Sequence, residues 1–150
     1  MFDNADVKVL LNRVDALFIS EKFFSMMTSQ SCDCDEIIIK SRDNYIKLTS
    51  KPLNEEDGFI VLEKTDSAEA QKFSYEVDFE ESDFVFDKTI SFENGAIDAI
   101  RFNGNGVFLY VFASEYNLIL TISKCDLFEE NCVELPQKEA TLNILKRNHE

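Results

Sequence analysis

The chain has no tryptophan, a single histidine, and only 4 glycines and 2 prolines in 150 residues. Each shortage removes a class of function. Its one imidazole, His149, stands at the penultimate position, where chains order worst, so a Ser-His-Asp or Cys-His site has no base on a rigid element. The few glycines form no G-x-x-x-x-G-K-[ST] loop, and Gly104 and Gly106 stand in a turn pattern that opens no helix. Nucleotide chemistry loses its usual cradle. Without tryptophan there is no indole platform for a sugar, which leaves glycoside chemistry only its paired carboxylates. An enzyme is not expected, and neither is a cofactor.

Positive charge is also scarce. Fifteen Lys+Arg face 29 Asp+Glu, a formal net charge of −14. Such a chain repels phosphate backbones and anionic lipid headgroups and attracts cationic partners, so neither direct nucleic-acid binding nor a membrane surface is expected. The longest apolar run, Val107 to Ala113, is far short of the ~20 residues of a membrane helix. Met1-Phe2-Asp3-Asn4 has neither the basic nor the apolar region of a secretory signal. The expectation is a cytoplasmic protein whose 4 cysteines are reduced thiols.

What is present is a core. Hydrophobic residues make up 45% and charged residues 29%, the balance of a globular chain, and the length fits one domain over 1–150. Val7, Leu10, Leu11, Val14, Leu17 and Phe18 recur with helical spacing, which predicts an amphipathic helix over about 4–27. Gln30 to Asp35 reads as a polar loop. From about 36 to 124 the pattern is that of strands: Ile37–Ile39 and Tyr45–Leu48 across a turn at 41–44, Phe59–Leu62, and Phe73, Tyr75, Val77 and Phe79 on one parity against acids on the other.

Asn94-Gly95 and Asn103-Gly104-Asn105-Gly106 mark two tight hairpins. Val107–Ala113 is apolar on both parities and reads as a central strand, one face of it covered by the N-terminal helix. Leu118, Leu120 and Ile122 give a further strand. Pro136, Leu142 and Leu145 suggest a short helix in 135–150, the alternative being a frayed tail. The fold class is therefore α+β: a mainly antiparallel meander of about six to eight strands with an N-terminal amphipathic helix.

The negative charge is concentrated. Residues 51–100 hold 14 acidic and 4 basic residues, and Glu76, Asp78, Glu80, Glu81, Asp83 and Asp87 fall in one short stretch without a base among them. Like charges two apart on one strand face repel, so the stripe serves either solubility or a cationic partner. For a partner, the contacts fall to Glu76, Asp78, Glu80, Glu81 and Asp83, with Phe84 or Phe86 as apolar anchor. Cys32, Cys34, Cys125 and Cys132 could hold tetrahedral zinc if the loop before the first β-strand met the segment after the last. Their C-x-C and C-x6-C spacings are not those of zinc ribbons, and ordinary free thiols are expected. Asp33, Asp35 and Glu36 flanking the pair are expected to raise a thiol's pKa by like-charge repulsion, which argues against a reactive nucleophile.

In size and charge, and in no motif, the chain is similar to acidic immunity proteins and to inhibitors of nucleic-acid enzymes. The favoured expectation is a small binding protein that neutralises a basic protein, such as a nuclease toxin. The alternative is an assembly protein that forms a homodimer through an exposed sheet edge at Leu118 to Ser123.

Overall fold

The structure, a computed structural model, describes residues 4–20, 30–79, 83–129 and 140–147. It opens with helix α1, Asn4–Leu10, whose Asp6 lies in the first turn where the helix dipole favours an acid. Val7 and Leu11 are fully buried in the main core while Val9 faces solvent. The helix ends there. Instead of continuing toward residue 27, the chain forms strands β1, Arg13–Val14, and β2, Ala16–Ile19; residues 21–29 lie outside the described residues.

The helical spacing of Val14, Leu17 and Phe18 is real but is overridden, because Leu17, Phe18 and Ile19 are all buried, as a strand covered on both faces requires. Leu17 and Ile19 enter the main core. Phe18 points the other way, into a second cluster with Ile38, Ala70 and Phe73.

The remaining strands are β3, Ser31–Cys34; β4, Glu36–Ser41; β5, Asn44–Pro52; β6, Gly58–Thr65; β7, Tyr75–Asp78; β8, Phe84–Ser91; β9, Ile97–Gly104; β10, Val107–Ala113; β11, Leu118–Ser123; and β12, Asn143–Lys146. All their pairings are antiparallel. The hairpin turns expected at 41–44, 94–95 and 103–106 are present, with positive φ at Arg42, Gly95, Asn105 and Gly106.

The strand order is β12-β7-β2-β4-β5-β6-β9-β10-β11-β3, and β8 joins β1 to β9. The sheet curls into a half-barrel, because β9 is reached from both directions: by β6 through Ile60 and Ile97, and by β8 through Val85 to Ser91. Its concave side holds one core cluster fed by most of the strands.

Four sequence expectations are corrected. Among the described residues there are twelve strands rather than six to eight. The polar stretch before residue 36 is strand β3, because Cys32 and Cys34 alternate inward between half-exposed Ser31 and Asp33. Leu142 and Leu145 do not form a helical stripe: Leu142 is buried, Leu145 is 52% exposed, and Leu145 belongs to strand β12 opposite Glu76. Leu118–Ser123 is no edge, since β10 and β3 flank it on its two sides. Between β6 and β7 lies a short helix α2, Ser67–Gln71, capped by the Asp66 side chain accepting from the Glu69 N–H.

Strand β10 is central, as its two-sided apolar pattern requires. Leu109 and Val111 face the main core. Helix α1 does not cover the opposite face; Phe128, from the segment after β11, packs there on Tyr110 and Phe112.

Candidate acidic docking groove

The acidic groove originates in a bend. Asp15 separates β1 from β2, and its carboxylate is fixed by the Arg13 guanidinium at 2.6 Å and by the Arg42 N–H at 2.6 Å. Beyond the bend the two halves take different neighbours on the same edge. Strand β1 pairs with β8 at Arg13↔Val85 and Val14↔Phe84, whereas β2 pairs with β7 only at Phe18↔Glu76 and Ile19↔Tyr75. Strands β7 and β8 therefore splay apart and leave a groove of about 340 Å³ between them.

Its lining is of two kinds. Asp15, Glu76, Asp78 and Asp83 supply carboxylates, and Val14, Ala16, Phe79 and Leu145 supply apolar surface. By the two-residue period of β7, Val77 and Phe79 turn toward the core while Glu76 and Asp78 turn to the other side, and the gap between β7 and β8 is lined by both sets. Among the described residues, Glu76 and Asp83 form no salt bridge, while Arg13 offsets Asp15. The groove is thus a low-lying anionic surface with an exposed apolar rim at Leu145.

Of the expected contact residues, Glu76, Asp78 and Asp83 come together here, and Glu80 and Glu81 lie outside the described residues. Phe84 is not available as an anchor. It is 1% exposed, meets Phe79 edge-on at 5.1 Å between ring centroids, and lies beneath Gly104. Phe86 is half-buried, edge-on to Phe102 at 6.4 Å and packed on the core. Two groove residues escaped sequence reasoning. Asp15 reads as the polar face of a helix, and Leu145 as a buried stripe, until the strands they occupy are known.

Asp87 leaves the acidic stripe altogether. It is the extra residue of a β-bulge, since Phe86 opposes Phe102 and Lys88 opposes Arg101, and its carboxylate accepts from Arg101 Nε at 2.7 Å.

The cysteines do not converge on one site. Cys32 and Cys34 are fully buried on β3, opposite Leu120 and Leu118. The Cys34 thiol is held well above its ordinary pKa, first by its hydrogen bond with Cys32, then by burial and by the nearby Asp33 and Asp35 charges. Cys125 lies beyond the end of β11, five residues past Leu120, the strand partner of Cys32. Cys132 is outside the described residues. Among the described residues no group of three or more His, Cys, Asp or Glu side chains could hold a metal ion. Nor is any helix among them long and apolar enough to cross a membrane.

No protein-family model matches the chain, and no match is found among curated proteins or among solved structures.

Proposed function

We propose that the chain is a small cytoplasmic binding protein that neutralises a basic protein partner through the groove between β7 and β8. The observation that supports this reading is the meeting of Asp15, Glu76, Asp78 and Asp83 around an apolar floor at the point where the sheet divides. A net charge of −14 draws a cationic surface toward the protein at long range. At short range the groove gives basic side chains a set of carboxylates, and Leu145 gives an apolar contact from which water is excluded. The partner class that fits is an enzyme whose own cleft is basic because it holds nucleic acid, a nuclease toxin being the leading case. Occupying such a cleft excludes its substrate sterically, with no chemistry required of this chain.

The test is inhibition of a panel of basic nucleases by the wild-type protein and by the triple variant Glu76→Gln, Asp78→Asn, Asp83→Asn. Asp15 is left intact because it fixes the bend. Inhibition of at least one nuclease is expected, weakening steeply as salt is raised, with the variant losing both potency and salt dependence. If wild type and variant inhibit alike, the groove is not the docking surface. If neither inhibits any member while the wild type associates with itself, an assembly role is favoured instead.

A further inference from the structure

We infer that residues 125–128 form a strap that opens as a unit from the outer face of β9 and β10, with Arg101 and Tyr110 as its two latches. On that face Phe108, Tyr110 and Phe112 form a row along β10, with ring centroids 6.0 Å and 5.3 Å apart. Arg101 stands beside Tyr110 on the neighbouring strand. The strap crosses this row. Phe128 meets Tyr110 edge-on at 5.2 Å and Phe112 at 6.2 Å.

Both latches grip more than one point. The Arg101 guanidinium lies between the Phe108 and Phe128 rings, 4.5 Å and 4.9 Å from their centroids, and its Nη1 donates to Asp126 at 2.6 Å while Nε is held by Asp87. The Tyr110 hydroxyl donates to the Cys125 carbonyl at 2.8 Å and accepts from the Leu127 N–H at 2.9 Å. Asp126 is held by Arg101, Leu127 by Tyr110 and Phe128 by both, with Phe112 and the Lys88 ammonium, 5.5 Å from its ring centroid, as further contacts of Phe128, so releasing either latch loosens neighbouring strap residues together.

The strap contributes to neither hydrophobic cluster, and residues 125–128 are half-exposed. Tyr110 beneath it is fully buried. A segment with few buried apolar contacts opens at a lower free energy than the whole domain. In this fold the closed strap covers the aromatic row and the open strap presents it to solvent. The device is separate from the acidic groove and stands or falls independently of it.

Amide hydrogen exchange tests this on the wild-type chain and on Tyr110→Phe and Asp126→Asn. The Leu127 and Phe128 amides are expected to exchange through an opening that low denaturant does not accelerate, while Val111 exchanges only through denaturant-sensitive global unfolding. Each variant should speed exchange at 127 and 128 by at least about ten-fold relative to Val111. Because the Asp126 carboxylate itself accepts from the Phe128 N–H and the Tyr110 hydroxyl from the Leu127 N–H, each variant is read at the amide it does not bond, Leu127 for Asp126→Asn and Phe128 for Tyr110→Phe, and the half-exposed Asp126 site keeps the test valid should Tyr110→Phe weaken the whole fold. Equal protection and equal denaturant sensitivity at 127, 128 and 111, unchanged by either variant, would overturn the inference.

Discussion

Gly58 lies directly against the Ser114 carbonyl oxygen, leaving no room for a Cβ. That oxygen also accepts the Ser50 hydroxyl, so the end of β10, the start of β6 and the body of β5 meet at one atom. The contact stands beside the Ile60↔Ile97 pairing through which β6 reaches β9. Gly58→Ala must push the β10–β11 turn away from the sheet, and it is expected to cost about 3 kcal/mol. Urea unfolding measures this; a midpoint equal to wild type would show that the turn yields freely.

The assignment of the groove's apolar contact predicts opposite behaviour for two residues. Phe84→Ala removes a ring that is 1% exposed from the core and should cost about 3–5 kcal/mol. Leu145→Ala truncates a side chain that is 52% exposed, should stay within about 0.5 kcal/mol of wild type, and should weaken partner binding. A large stability loss at Leu145, or a small one at Phe84, contradicts the structure.

Asp98 is the extra residue of a second bulge, between the pairings Ile90↔Ala99 and Ser91↔Ile97. Burial, and then the charge of Asp57, holds its pKa above the ordinary carboxylate value. The folded chain thus keeps a proton on Asp98 to higher pH than the unfolded chain does. Stability contributed at this position declines as pH rises from the unfolded value through the folded one, and the loss is complete above both. Asp98→Asn should therefore be more stable than wild type at neutral pH, with the advantage shrinking as pH falls toward ~4. Denaturation curves at the two pH values decide it, and an advantage that grows on acidification reverses the sign.

The thiols should divide by burial. In a Cys132→Ser chain, half-exposed Cys125 is expected to react with an aromatic disulfide reagent under native conditions, while Cys32 and Cys34 wait for unfolding. The slow pair combines zero exposure with, at Cys34, a thiol whose raised pKa suppresses the thiolate. Three equally fast thiols in the native protein would place β3 elsewhere than against β11.

Much of the β-architecture was legible locally. Asn94-Gly95 and the Asn103 to Gly106 stretch carry the positive φ angles of their turns in their own residue types, and the hairpins β8–β9 and β9–β10 follow from them. The alternation around Val77 likewise located a strand with one acidic side. Less legible was everything that depends on what lies across the sheet. Val14, Leu17 and Phe18 satisfy a helix and a doubly covered strand equally well, and only the presence of β4 and β7 on either side of β2 selects the strand.

By itself the sequence determined a β-rich, strongly acidic chain with its negative charge gathered in the middle, because turn chemistry, two-residue periodicity and charge counts are local properties. Where those charges come to lie was decided by tertiary structure. Asp83 joins Glu76 and Asp78 in a groove, Asp87 is taken up by Arg101, and Asp15 enters from a segment that reads as helix. Phe84 and Leu145 exchange the roles that their patterns suggest, one buried and the other at the rim. The reason is geometric: a bend at one residue separates β7 from β8, and a split between strands distant in sequence leaves no trace in the period of either one.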